Sequence, residues 1–557
     1  MCASVYGWRS ELYPVDWTPP EETVSFYSDK FLQDFSYAGY ASGEAPLPSG
    51  SSSIFDVVVD YGADPTGVKD STSHIQNAID DAGSYPEGGI VYLPAGTYKV
   101  SLPDGQSEVL RLSRDNVLLR GAGSEQTRIV NYTTTMHGAA IIRVATAGPS
   151  AQAYDSEKVA IVKDVTGPSH RLYIEDTVPF LAGDLVEIRW DFTYEWIVEH
   201  GQSKWWGVPG DPDPSNPETG PSPAYYKRIV TSVNAEAGWI ELNVPARYSI
   251  LTRDNPVVYK ILKRITGCGI EDLSIGNKEI APHRSGGQEG WGQGDYVKNG
   301  SLAWQAHRSQ VIQIQYAYNC WVKNVRSFRY EKNTTPTHIL SNGIRLHKSF
   351  NITVQNCIMQ NPQYGGAGGN GYMITLAESN ECLVIDCETI NSRHGLVLLG
   401  SGTSGNVFHN HTDRNTGRAV GNAKNENNLY KTDGEGSDTH YFLSHSNLWD
   451  ACHLDNSRFE SFHRKNFGGP RNPGLTSAHG VYWNTSGEGR EYPKIILSDQ
   501  ARYGYIIGTS GANYRVSTDV NFESNNEPED FSEGIGKGEN LVPQSLWLDQ
   551  RKRRLGE

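Results

Sequence analysis

The 557-residue sequence predicts an all-β chain wound as a parallel β-helix solenoid, with an N-terminal capping helix and an inserted small β subdomain. Three observations carry that expectation. A short β-run meeting an Asn or Asp recurs at Gly269-Ile270-Glu271-Asp272-Leu273, Trp321-Val322-Lys323-Asn324-Val325, Thr353-Val354-Gln355-Asn356-Cys357, Leu383-Val384-Ile385-Asp386-Cys387 and Phe408-His409-Asn410-His411. The Asn/Asp positions 272, 324, 356, 386 and 410 are 52, 32, 30 and 24 residues apart. Gaps of 24 to 32 fit one coil, and 52 fits a coil enlarged by the Gly-rich stretch around 278–300. A second frame starts strands at Asn342-Gly343-Ile344, Asn370-Gly371-Tyr372, His394-Gly395-Leu396 and His479-Gly480-Val481. Between the turns no 3.6-residue period is seen, which excludes a helical or leucine-rich repeat.

Each element follows in order. Residues 1–53 have no period and form an N-terminal extension. Residues 54–148 begin the solenoid: Ile75, Ala78, Ile79 and Ala82 make a helical stripe, capped at Ser71 or Thr72 and ended at Gly83. Residues 149–260 break the coil period. There Ala182–Arg189 and Gly238–Val244 alternate as half-buried strands do, around a loop from Trp205-Trp206-Gly207 to Pro223. This segment is expected to be an inserted subdomain, its tryptophans either walling a sugar groove or forming a hydrophobic hinge. The main coils occupy 261–490, and 491–557 form a C-terminal extension. Asn and Asp suit the coil corners because they tolerate left-handed backbone, and stacked amides can bond one another in a ladder. Asn324, Asn356, Asp386 and Asn410 should therefore occupy equivalent corners.

The block from Phe55-Asp56-Val57 through Tyr61-Gly62-Ala63-Asp64-Pro65-Thr66-Gly67 to Gly88-Gly89-Ile90-Val91-Tyr92-Leu93-Pro94-Ala95-Gly96-Thr97-Tyr98 resembles the N-terminal signature of the pectate-lyase-like superfamily. The resemblance implies a right-handed β-helix whose open end is plugged by an amphipathic helix, since bare strand edges invite aggregation. Arg393-His394-Gly395, followed by Gly405-Asn406-Val407-Phe408, is similar to the arginine-histidine-glycine motif of the chondroitinase B and alginate lyase family. That resemblance implies an arginine acting on a uronate. The lysine expected one coil upstream is missing: position 372 is Tyr, and no Lys lies between 349 and 423. His394-Gly395 is also similar to the histidine-glycine motif of polygalacturonases, whose paired-aspartate and arginine-x-lysine motifs do not appear at matching spacing.

Composition narrows the function. A formal charge of −15 excludes a global basic field for nucleic acid or anionic lipid. No apolar run reaches the ~18 residues of a membrane span. Seven cysteines, an odd number without a CxxC pair, argue against a zinc ribbon or a disulfide framework. Thirteen Trp and 30 Tyr in so polar a chain suit carbohydrate. The expected partner is an anionic polysaccharide, met outside the cytoplasm by a monomer: extracellular, periplasmic or at the cell surface. No export signal is read in the chain.

Of the 16 histidines, 11 fall between 301 and 480, accompanied by many arginines, which suggests a face that binds an anionic substrate. Eight residues past successive corners stand Lys332, Tyr364, His394 and Arg418, expected to stack as a cationic and aromatic column. Five past stand Arg329, Asn361, Asn391 and Asn415, a second polar column. Arg345 and His479 are further candidates for binding substrate. The catalytic candidates are Arg393 or Arg414 to neutralise a uronate, and His394, His440 or Tyr441 as base or acid, with Asp438 orienting His440. His411 falls in the inward column of Leu273, Val325, Cys357 and Cys387, so it is expected to be buried, and the two cysteines to be stacked thiols. No cofactor is assigned from the sequence, with Ca²⁺ the open alternative. Asp433, Glu435 and Asp438 offer oxygens suited to Ca²⁺, although a flexible acidic turn is the preferred reading.

The leading expectation is a lyase cleaving a uronate-containing glycan by β-elimination. The alternative is a glycoside hydrolase using Asp413 and Asp438 as its two carboxylates. A glycan-binding solenoid without catalysis is the third.

Overall fold

A computed structural model describes residues 7–50, 53–146, 154–203, 206, 223–281, 290–292, 294–417, 436–464, 474–489, 492–520 and 528–557. The chain winds as a right-handed parallel β-helix. A ten-stranded parallel sheet runs along one side, in strict chain order. Its strands are β1 (Glu108–Leu112), β2 (Ala140–Val144), β3 (Gln310–Gln315), β4 (Asn342–His347), β5 (Tyr372–Ala377), β6 (His394–Leu399), β7 (Ser437–Tyr441), β8 (Phe459–Phe462), β9 (Ile496–Asp499) and β10 (Val516–Ser517). A second, 19-stranded sheet supplies the other walls.

The corners of that second sheet are left-handed residues stacked coil on coil. Asp272, Asn324, Asn356, Asp386 and Asn410 all have φ between 48° and 59°. The Asn324 amide donates to Asp272 at 2.7 Å, Asn356 to Asn324 at 2.6 Å and Asn410 to Asp386 at 2.6 Å. The four predicted corners are thus equivalent, and the ladder offsets the cost of left-handed backbone. Ala451 and Asn484 continue the column at φ 52°. A second ladder links Asn361, Asn391, Asn415 and Asn456, so the column expected five residues past each corner forms at 361, 391 and 415.

Inside, residues of equal register stack into one apolar core, for example Ile312, Ile344, Ile374 and Leu396. Cys357 and Cys387 are buried free thiols. His411 is fully buried above them, bonded to the Thr389 hydroxyl at 3.1 Å. The helix α1 (Thr72–Ala82) seals the end of this core with Ile75, Ala78, Ile79 and Ala82. Its N-cap is Ser71, but the Asp70 carboxylate takes the Thr72 N–H at 2.9 Å while the Ser71 hydroxyl accepts from Asp64.

Strands within 154–261 form a separate six-stranded antiparallel sheet with its own core. It is seated on the solenoid through Phe442, Leu443 and Ala478 and through a fully buried ion pair, Arg247 to Glu381 at 2.8 Å. Trp206 is 1% exposed, stacked on Trp196 and edge-on to Phe442, so it packs the seam and walls no groove. Trp205 lies outside the described residues.

Parallel pairing does not stop near 490. Strands at 496–499, 505–510 and 531–533 add further coil. The repeat frame missed them because Gly508, not an Asn, fills the corner between Ile507 and Thr509. The terminal segments do lie over the solenoid. Tyr13, Leu32, Phe35, Leu546 and Trp547 cover Leu383, Val407, Leu448 and Val481 of the second sheet. Among the described residues no helix is long and apolar enough to cross a membrane.

Candidate functional site

Register brings one set of side chains to the outer face of the ten-stranded sheet. Arg345, Thr375, Val397, Asp438, Glu460 and Leu497 are consecutive partners from β4 to β9. At ~4.8 Å per coil, Arg345 stands about 14 Å along the axis from Asp438. The second frame is corrected here. Ile344, Ile374 and Leu396 pair, so the equivalents of His394-Gly395 are Asn342-Gly343 and Tyr372-Met373, not Asn370-Gly371. Position 372, noted in the sequence for lacking a lysine, places its phenol beside His394, with ring centroids 5.0 Å apart. Gly395 is explained by packing. It faces inward, where a Cβ would stand 2.2 Å from the Asp413 carboxylate.

The polar cluster is a chain of hydrogen bonds closed by an ion pair. Asp438, on β7, accepts from His440 Nδ1 at 2.9 Å, and its Oδ2 is 2.7 Å from the Arg464 guanidinium. Because a carboxylate only accepts, His440 carries its proton on Nδ1. Nε2 therefore accepts from the Tyr372 hydroxyl at 3.1 Å. A bulge in the pairing of β6 with β7 falls at His440 and turns it outward with Asp438. His394 gives its Nδ1–H to the Gly436 carbonyl at 2.5 Å. Its Nε2 is buried with no hydrogen-bond partner. Arg393 is half-buried, donates to the Gly366 carbonyl at 3.1 Å and has its guanidinium 5.8 Å from the centre of the Tyr372 ring.

Electrostatics suit proton traffic. Burial pulls the His394 imidazole down to about 3, against the pull of Asp438. Burial also lowers His440, offset in part by Asp438, so its ring is neutral near pH 7. For Asp438 burial works upward, but Arg464 and the two histidines hold the carboxyl well below the usual carboxylate range. Of the three, His440 reaches the surface, with 13% of its side chain exposed. Tyr372, Ala377, Val397 and Leu399 form an apolar floor. Along the rim, His347 and Lys348 hold the half-buried Glu378 carboxyl down at about 2, where desolvation alone would raise it.

His394, Asp438 and His440 are close enough to share a metal ion. Both Nδ1–H groups are given to protein acceptors, which leaves the two Nε2 atoms as the nitrogens able to ligate, while the carboxylate already faces the Arg464 guanidinium. Asp433 and Glu435, the other suggested Ca²⁺ ligands, lie outside the described residues.

Several sequence candidates fall elsewhere. Asp413 points into the solenoid, fully buried, accepting from Thr389 at 2.9 Å and from Thr416 and Ser437. Facing inward, it cannot form a hydrolytic pair with the outward Asp438. Arg414 is on the second sheet, tied to Glu388 and Asp455. Tyr364 is in the core, its hydroxyl on the Gly292 carbonyl at 3.1 Å. Lys332 is exposed on a turn after Tyr330. The column of Lys332, Tyr364, His394 and Arg418 does not form among the described residues, because turn lengths differ from coil to coil. Arg418 lies outside them, as does the Tyr441 side chain, although the Tyr441 backbone pairs with Leu399. His479 is buried against Phe26, Phe31 and Tyr248, away from this face. Tyr372, Arg464 and Glu460 were missed. Asp438-Thr439-His440 was legible as an oriented pair, but nothing local marks its partners.

Residues 55–166 match the protein family described as "Rhamnogalacturonase A/epimerase, pectate lyase-like". Over 72 residues, 13% of the chain, the sequence is 49% identical to mannuronan C5-epimerase AlgE6 of Azotobacter vinelandii, of which the match covers 8%. Over the same length it is 44% identical to alginate lyase 7 of that organism, again covering 8%. Among solved structures, the tailspike protein gp49 of Pseudomonas phage LKA1 aligns over 83% of this chain and 72% of its own, with 12% identity and a TM-score of 0.45. The A-module of mannuronan C-5 epimerase AlgE4 from Azotobacter vinelandii aligns over 86% of this chain and 100% of its own, with 13% identity and a TM-score of 0.37.

Proposed function

We propose that this chain, a β-helix of the pectate-lyase-like superfamily, is a polysaccharide-active enzyme that removes the C5 proton of a uronate in an anionic glycan and completes a β-elimination. One observation carries the reading: Tyr372, His440 and Asp438 form a continuous relay on the outer face of the sheet, with Arg393 beside it.

In this reading Arg393 neutralises the substrate carboxylate, which acidifies the adjacent C5–H. Tyr372 passes its phenolic proton to His440 Nε2, and the resulting phenolate takes the C5 proton. Asp438 stabilises the imidazolium that forms. The C5 electron pair becomes the C4–C5 double bond, the C4–O bond breaks, and the proton held on His440 goes to the departing oxygen. Burial lowers the proton affinity of His440, which favours the release of that proton and equally opposes its uptake from Tyr372. Arg345 lies on the same face, about three coils away, where it can meet a second carboxylate of an extended chain.

The test is incubation with a panel of uronate polymers in D₂O, following ultraviolet absorbance of the unsaturated uronate and NMR at C5. Absorbance should rise with at least one polymer. Deuterium at C5 without absorbance would assign the same site to epimerisation, a reading favoured by the epimerase relatives. New reducing ends with neither signal would mean hydrolysis and defeat the proposal.

A further inference from the structure

We infer that Glu460 is the positioning residue of this site, holding His394 and His440 through two separate arms, one of hydrogen bonds and one that crosses the Arg464–Asp438 ion pair. The inference rests on the proton-transfer reading above for its consequence, but not for its geometry. Glu460 is on β8, fully buried, directly paired with Asp438. Its Oε1 accepts from Arg458 Nε at 2.9 Å, Arg458 Nη2 at 2.5 Å and the Gly436 N–H at 3.1 Å, and its Oε2 accepts from Arg464 Nη2 at 2.7 Å.

The first arm runs through Gly436, whose N–H is held by Glu460 and whose carbonyl takes the Nδ1–H of His394. A Cβ on residue 436 would stand 2.3 Å from the Arg458 carbonyl, so only glycine allows this approach. The second arm runs from Oε2 through Arg464 to Asp438, then to His440 and Tyr372. Both imidazoles are thereby fixed as the Nδ1–H tautomer, with Nε2 left as acceptor.

The register does not call for a carboxylate in every coil. Elsewhere in the same column stand Thr375, Val397 and Leu497, neutral residues at equal register. A buried carboxylate between two buried arginines is expensive to desolvate and is weak evidence for stability. Its geometry, reaching both histidines, supplies the reason for it.

The test variant is Glu460→Gln in the full chain. The amide must turn its NH₂ toward either Arg464 or the Gly436 and Arg458 donors, so one arm loses its acceptor. The readout is the tautomer of each ring, from two-bond ¹H–¹⁵N spectra of histidine-labelled protein. Wild type should show both rings as Nδ1–H, and the variant should lose the single tautomer at His394 or His440. On a turned-over substrate, kcat should fall about 10-fold or more with KM within about 2-fold, the pattern of lost transition-state stabilisation. The His440 limb of the pH–rate profile should move to lower pH, because a neighbouring negative charge has gone. Glu460→Asp keeps the charge and should retain the wild-type profile better than the Gln variant. Unchanged tautomers and profile in Glu460→Gln would overturn the inference, and so would failure of both variants to fold, which would make Glu460 structural. If no uronate polymer is turned over, the tautomer measurement still decides the matter, so the two proposals fail separately.

Discussion

At the residue scale, position 372 decides more than its neighbours suggest. Its ring is part of the apolar floor, so Tyr372→Phe removes one oxygen and little packing. The expected result is a loss in kcat of roughly 10²-fold or more, the scale of acid–base roles, with the thermal midpoint near wild type. His440→Ala and Arg393→Ala should behave alike in assays of unsaturated product. Asp413→Ala should do the opposite. It leaves the Thr389, Thr416 and Ser437 hydroxyls without their buried acceptor, which costs about 1–3 kcal/mol. Chemical denaturation should show that loss. Full stability in Asp413→Ala would mean that the inward pocket is hydrated.

At the element scale, the coil corner is the repeating unit, and its side chain can be tested apart from its backbone. Asn356→Ala loses the amide bond to Asn324 and keeps a left-handed φ of 51°, whereas Asn356→Gly loses the bond but relieves the backbone. The Gly variant should therefore be the more stable by roughly 1 kcal/mol. Ala451 offers the converse. It sits left-handed in the same column between Asn410 and Asn484 without an amide. Ala451→Asn should raise the denaturation midpoint by extending the ladder, and no gain would show that the coil spacing at this corner is wrong for an amide bond. The corners were legible in the sequence because each is a local contract between one residue type and one backbone conformation. The corner at Gly508 was missed because glycine satisfies the same φ with no side chain to recognise.

At the scale of the molecule, the seam between the inserted sheet, the N-terminal segment and the solenoid buries His200, His445 and His479. Burial lowers all three well below 6.5, His479 to about 3, with Arg228, Arg247 and Arg502 adding to it. Between pH 6.5 and about 3 the unfolded chain binds protons that these rings refuse. Their contribution is complete above pH 6.5 and is lost as pH falls. Buried His394, His411 and His440 act in the same direction. Asp530 opposes them, since burial raises its carboxyl to about 7 and its contribution is lost as pH rises. Burial raises Asp254 and Asp413 as well. These three acids stand against nine lowered imidazoles among the described residues, His307, His338 and His347 included, so the thermal midpoint should drop between pH 7 and pH 5. A flat or rising midpoint over that interval would show that the rings are solvated.

The sequence by itself determined the coil, the plugging helix and the burial of His411, Cys357 and Cys387, because strand alternation and left-handed corners are set within a few residues. It also marked Asp438 and His440, two positions apart, as an oriented pair. Only the tertiary structure decided which residues share the outer face. Tyr372 and His440 are 68 positions apart, and Arg464 and Glu460 come from the next coil. Counting from the corners assigned Tyr364 to the surface, and matching the strand-start motifs aligned Asn370-Gly371 with His394-Gly395, a slip of two residues. Offsets survive only while every turn has the same length. Beyond a corner the chain is free to insert residues, and register is restored by hydrogen bonding between coils, which no single coil encodes.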